Sequence, residues 1–280
     1  MPTHLLGVLA ALTSAATWGG GDFAGGLASR RSSQFQVLAM AALSGLVVLI
    51  PLAIAWREPI PPIDSIAWAA LAGLSGAVGI AAWYRALSLG NAAIVSPTAG
   101  VISAGVPVVL GAFLEGIAGY PQLAGIFTGM AGIWLVSRAA PSEGAHPRRD
   151  LGLAILAGLG FGGFFVFIAQ VQPGLVLTPV VIAKVVALIA SAAILLARRL
   201  PFPSPVGNPV ALIAGVLDAS GNVFYLLAKQ FTRLDVAAVM SSMYPAATVI
   251  LARAVLGQPV SRTQWLGVVL CVCGVGLIAL

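Results

Sequence analysis

Three ionisable side chains lie inside long apolar runs of the chain. Asp22 falls late in the run 5–28, Lys184 about eight residues into 176–197, and Asp218 about nine residues into 209–228. A charge at the centre of a bilayer costs about 3 kcal/mol on insertion scales, so such a group faces a cavity or an opposite charge. In antiparallel neighbouring helices Lys184 and Asp218 reach similar depths, which is the placement of an ion pair. Such a pair either rigidifies a bundle or meets the charged ends of a solute. Asp22 follows Gly19-Gly20-Gly21; it either caps a break there or receives a substrate's amino group. Aromatic residues form a second group: Trp18, Tyr84, Phe161, Phe164 and Tyr225 occupy matching or neighbouring positions in the two halves of the chain. Sites for organic solutes have apolar walls and a few placed polar groups, and Ser96 and Asn222 are the neutral hydrogen-bonding candidates. The same rings would also serve as ordinary core.

Other chemistry is poorly supported. Gly19-Gly20-Gly21-Asp22 has the G-x-G-D form of intramembrane aspartyl proteases, but no earlier span supplies a second aspartate. Gly73-Leu74-Ser75-Gly76 has the G-x-S-G form of rhomboid proteases, whose serine needs a histidine base within a span. His4 and His146 both lie outside the apolar runs, and with 33 glycines both matches arise by chance. Cys271 and Cys273 are two apart and face different ways on a helix, so neither a disulfide nor a metal pair is expected. No enzyme activity, cofactor or metal is therefore expected. A passive channel is disfavoured by the lack of charged rings and of a filter motif. The 14 basic residues are scattered in ones and twos, which is not a nucleic-acid surface.

These candidate residues need elements to hold them. Of 280 residues, 60% are hydrophobic and 8% charged, with a net charge of +6. Soluble domains are about 45–50% apolar and about 25% charged, so lipid must be the solvent. A helix needs roughly 20 residues to cross the hydrocarbon. Ten apolar runs fit: 5–28, 35–56, 66–89, 92–114, 122–136, 151–171, 176–197, 209–228, 235–256 and 264–280. They are too long and too evenly apolar for barrel strands, so an all-α membrane bundle of ten transmembrane helices is expected. The first run lacks a basic leader and reads as a retained span. Residues 138–150 are the longest polar stretch and separate 1–137 from 151–280.

The two halves repeat. Leu114-Glu115 and Gln122-Leu123-Ala124-Gly125 lie over Leu256-Gly257-Gln258 and Gln264-Trp265-Leu266-Gly267 at an offset of 142. Trp18-Gly19-Gly20 resembles Phe161-Gly162-Gly163, and Val106-Pro107-Val108 resembles Tyr244-Pro245-Ala246. Five spans per half is an odd number, so the second half must enter the membrane from the opposite face. Inverted repeats around a central cavity are a signature of alternating-access carriers.

These same elements resemble the EamA type of the drug/metabolite transporter superfamily. They are Trp18 to Phe23, Tyr84-Arg85-Ala86-Leu87, Pro107, and Leu114-Glu115 followed by Gln122-Leu123-Ala124-Gly125. The resemblance covers the whole chain. Two departures stand out: Gln258 replaces the family's acidic residue before the last span, and Phe23 comes one position late. Size and layout look most like bacterial amino-acid and metabolite exporters of the aromatic amino-acid type. The resemblance implies efflux of a small molecule across the bacterial inner membrane by a monomeric carrier. Nucleotide-sugar and sugar-phosphate carriers share the superfamily. A phosphate-bearing substrate carries about two negative charges and would want several cavity cations, and Lys184 alone lies deep in a span.

Loops after odd-numbered spans hold Arg30, Arg31, Arg85, Arg138, Arg148, Arg149, Arg198, Arg199, Arg253 and Arg262; the others hold Arg57, Lys229 and Arg233. Basic loops stay in the cytoplasm, which places both termini in the periplasm. Prolines 97, 107, 179 and 245 lie in the runs and are expected to kink them. Gly21/Gly25, Gly125/Gly129 and Gly158/Gly162 are spaced for close helix contacts.

Overall fold

The computed structural model describes residues 3–87, 92–138, 147–204 and 207–279; helices joined by short loops make up these residues, with no strand among them. The helices are α1 (Thr3–Ala28), α2 (Gln34–Ala55), α3 (Ile63–Leu87), α4 (Ala92–Glu115), α5 (Tyr120–Val136), α6 (Pro147–Ile168), α7 (Leu177–Ala197), α8 (Pro209–Phe231), α9 (Leu234–Ser241), α10 (Tyr244–Leu256) and α11 (Arg262–Ala279). Eight segments among the described residues are long and apolar enough to cross a membrane, with α9 and α10 counted as one. The other two helices are α1, of 26 residues, and α5, of 17. Side chains such as Val47, Phe127 and Val272 are exposed on the outside of the bundle, where lipid is the only favourable neighbour.

Three local departures from the sequence reading have simple causes. The ninth run breaks at Ser242–Met243, between α9 and α10. Pro245 has no N–H to give to the preceding turn, and its ring would meet the carbonyl four residues back. By contrast, Pro97 and Pro107 stay inside the continuous α4, and Pro51 inside α2. Pro179 lies in the first turn of α7, where no donor is required, so it makes no mid-span kink. The sixth helix begins at Pro147, within the expected linker, because proline is tolerated in a first turn. Residues 139–146, the rest of that linker, lie outside the described residues.

The helix contacts fall into matched sets. α1 packs along α8, and α6 along α3; α2 packs on α8, and α7 on α3; α4 packs on α6, while α9 and α10 pack on α1. The pairs α2/α7 and α5/α11 close the set. Exchanging the first five segments for the last five maps this list onto itself. The close approaches repeat in the same register. A Cβ on Gly73 would lie 2.5 Å from the Ala183 carbonyl, and one on Gly215 would lie 2.2 Å from the Ala41 carbonyl. Both glycines and both alanines are 142 positions apart. Likewise Phe161 fills the notch at Gly79, and Trp18 the notch at Gly221, with hypothetical Cβ distances of 2.9 and 2.4 Å. Glycine is needed here because backbones or rings occupy the space of a side chain.

Side-chain bridges define the two ends of the bundle. At one end Asn208 donates to the Ala28 carbonyl (2.8 Å) and to the Ser32 hydroxyl (3.0 Å), and Gln36 donates to the Pro201 carbonyl (2.9 Å). We call this the odd end, since it joins the loops after the first and seventh segments. At the even end Glu58, Glu115, Gln230 and Arg233 tie together the loops after the second, fourth, sixth and eighth segments.

Candidate functional site

A cavity of about 530 Å³ lies between the two halves, lined by α1, α2, α3 and α4 from one and by α6, α7, α8 and Tyr244 of α10 from the other. Its lining runs from Trp18 to Ser29 along α1, from Ala42 back to Gln34 along α2, and from Gly73 to Trp83 along α3. Each run starts near mid-helix and ends at the odd end. The cavity is therefore open toward the odd end and blind toward the even end.

An aromatic cluster forms the blind floor. Trp18 stacks on Tyr225 (ring centroids 6.1 Å, 28° between planes) and meets Phe165 edge-on at 5.4 Å. Phe165 and Tyr225 are 4.7 Å apart, and Phe164 and Tyr244 also meet Trp18 edge-on, at 6.5 and 6.4 Å. Edge and offset contacts of this kind suit the ring quadrupoles. The Trp18 indole donates to the Asp218 carbonyl at 3.2 Å, which fixes the ring against α8. Asn222 donates to that same carbonyl at 2.8 Å and also lines the cavity.

The charged groups sit just above this floor. Lys184 of α7 and Asp218 of α8 form a hydrogen-bonded ion pair, and both line the cavity. The Asp218 side chain is 41% exposed and that of Lys184 11%, so the carboxylate is the member presented to the lumen. Gly45 of α2 lets α8 approach closely, since a Cβ there would lie 3.0 Å from the Ala219 methyl, and the lysine stem passes beside it at ordinary contact distance. Asp22 also lines the cavity, from α1. Among the described residues it has no hydrogen-bond or ion-pair partner. The site thus holds one cation and two carboxylates, with one carboxylate unmatched.

Of the residues singled out from the sequence, Trp18, Asp22, Phe161, Phe164, Lys184, Asp218 and Asn222 come together around this cavity. Tyr225 does not line it. The ring is fully buried behind Trp18, and its hydroxyl donates to the Phe165 carbonyl at 2.9 Å. The side chains of Tyr84 and Ser96 lie outside the described residues. Trp83, Phe165 and Tyr244 line the cavity without having been singled out. Each is adjacent in sequence to a residue the motifs did mark, namely Tyr84, Phe164 and Pro245. A helix turns about 100° per residue, so a motif fixes the neighbourhood of a wall but not its facing residue.

The model of the EamA-like transporter family matches the chain twice, over residues 5–138 and 150–280. The chain belongs to the EamA-like transporter family. It is therefore a multi-pass membrane protein of the drug/metabolite transporter superfamily, whose members move small molecules across bilayers. Comparison with curated proteins gives no match. A solved crystal structure superposes with a TM-score of 0.73 at 20% sequence identity, covering 97% of this chain and 95% of the other. Likeness at that identity concerns the fold alone.

Proposed function

We propose that this transporter is a monomeric alternating-access carrier that exports small metabolites, foremost neutral or aromatic amino acids, across the bacterial inner membrane. The observation that carries the reading is the pairing of aromatic walls with Lys184, Asp218 and the unmatched Asp22 in one cavity. An amino acid brings an ammonium, a carboxylate and a side chain. The ammonium finds carboxylates, the carboxylate finds Lys184, and the side chain finds Trp18, Phe161 and Phe164. The volume of about 530 Å³ lies within the usual range for small-molecule sites. A nucleotide sugar is less well served, because among the described residues that line the cavity Lys184 is the one that is basic.

The self-matching contact pattern supports two inverted repeats, 1–137 and 151–280, with α1 and α5 completing ten spans. The arginine bias supports a cytoplasmic odd end and periplasmic termini. A periplasm-active reporter fused after Leu280 is then active and one inserted near Ser142 inactive; the reverse pattern overturns the orientation. Transport by purified protein in liposomes tests the function. Saturable flux with counterflow of neutral amino acids is expected. Flux that stays linear with concentration would indicate a pore, and counterflow of nucleotide sugars alone would replace the substrate class.

A further inference from the structure

The two ends of the bundle are closed by different chemistry. At the even end Glu58, just beyond α2, accepts hydrogen bonds from the backbone N–H groups of Val176 (2.7 Å), Leu177 (3.1 Å) and Thr178. These are donors at the start of α7, a helix with no cap from its own side chains. Glu115, the last residue of α4, does the same for α9: it accepts from the Leu234 N–H at 2.9 Å. Glu115 also pairs with Lys229 at 2.9 Å, the two side chains being 26% and 22% exposed. Arg233 completes the closure. Its guanidinium pairs with the buried Asp235 at 2.9 Å and donates to the carbonyls of Glu115 and Gly116. Charge-assisted bonds of this kind are roughly twice as strong as neutral ones, and a carboxylate suits a helix N-terminus. In both cases a glutamate of the first half holds a helix start of the second half.

At the odd end no glutamate among the described residues holds a helix start across the halves. Where α4 ends in Glu115, α10 ends in Leu256 followed by Gly257. The α2 start is capped by its own Ser33 and Gln36, and the side-chain bonds described there between halves are neutral: Gln36 to the Pro201 carbonyl, and Asn208 to the Ala28 carbonyl and the Ser32 hydroxyl. Of the eight acidic residues, Glu58, Asp64, Glu115 and Asp235 lie at the even end.

We infer that Glu58 and Glu115 are the gating residues of this carrier: they hold the even end shut while the cavity is loaded from the odd end, and must release α7 and α9 for the cavity to open the other way. The inference rests on the alternating-access reading. It also gives the release a route. Every residue of α9 is buried, and the helix packs on α1, α4, α5 and α8 between the aromatic floor and the even end. It occupies the path that opening would need.

Thiol accessibility in the full-length protein tests this. In a background lacking Cys271 and Cys273, one reporter is Ala187→Cys, which lines the cavity. The other is Ser241→Cys, buried at the inner end of α9. With the gate intact, a bulky polar maleimide labels the first quickly and the second slowly. Glu58→Gln combined with Glu115→Gln is expected to speed labelling of Ser241→Cys by at least about fivefold and to slow that of Ala187→Cys, as a coupling of ordinary size would. The charge swap Glu115→Lys with Lys229→Glu keeps the pair and is expected to label closer to the intact protein than Glu115→Lys alone. Faster labelling at both reporters means loosening of the whole bundle and overturns the inference, as does no change at either. If the unsubstituted carrier shows linear, non-saturable flux in liposomes, it is the carrier reading that fails instead.

Discussion

At the even end two helices of the second half begin on glutamates from the first, whereas at the odd end the start of α2 caps itself and two neutral amides, Gln36 and Asn208, reach across. The backbones at the two ends are built alike, since the Gly73/Ala183 and Gly215/Ala41 crossings repeat at a fixed offset. The difference therefore lies in side-chain charge. Duplication supplies equal packing to both ends, and charge then makes one of them harder to open.

The largest effect is expected where the two halves meet. Lys184→Met should cut transport by about a hundredfold or more and lower thermal stability, because two carboxylates then share the cavity without a cation, at about 3 kcal/mol for a charge in the membrane core. Lys184→Met with Asp218→Leu should regain the stability but not the transport. A double variant no more stable than the single one would show that the pair carries no such burden. Next come the paired crossings. Gly73→Ala and Gly215→Ala should each destabilise by about 1–3 kcal/mol, as overpacking does, and thermal unfolding in detergent measures both. A neutral result at one site beside a severe one at the other would break the equivalence of the halves.

A smaller effect is expected at the odd end. Gln36→Ala removes two neutral bonds, the one to the Pro201 carbonyl and the one its side-chain oxygen accepts from the Ser33 N–H, and should cost about 1–2 kcal/mol, with labelling at Ser241→Cys unchanged. Opening of the even end by this variant would contradict the division of labour. The smallest effect is that of salt. Raising ionic strength screens the partly exposed Glu115–Lys229 pair, so labelling at Ser241→Cys should rise by about twofold or less. The Ala187→Cys rate should not rise with it; a rise there would mean that salt acts on the bundle in general.

The sequence carried much of the fold for a plain reason. Lipid cannot satisfy backbone groups, so each long apolar run is committed to helix wherever it packs. Its repeats were legible in matched short motifs such as Gln122-Leu123-Ala124-Gly125 over Gln264-Trp265-Leu266-Gly267, whereas the close crossings at Gly73, Gly79, Gly215 and Gly221 became visible only in the structure. Asp22, Lys184 and Asp218 were legible as site candidates because an intramembrane charge needs a stated reason. Tyr225 misled, because an aromatic one helical turn below Asn222 looks the same in sequence whether it faces the lumen or stands behind Trp18.

By itself, then, the sequence determined the helical class, the duplication, the charge bias between the ends and which residues are too costly to face lipid, since all of these follow from side-chain solvation along one chain. Only the tertiary structure decided which face of each helix meets the cavity, that Glu58 and Glu115 reach the starts of α7 and α9, and that the cavity opens toward one end. Those depend on contacts between residues as far apart as Glu58 and Thr178, and no local pattern of apolar and polar residues encodes a partner across the interface between two halves.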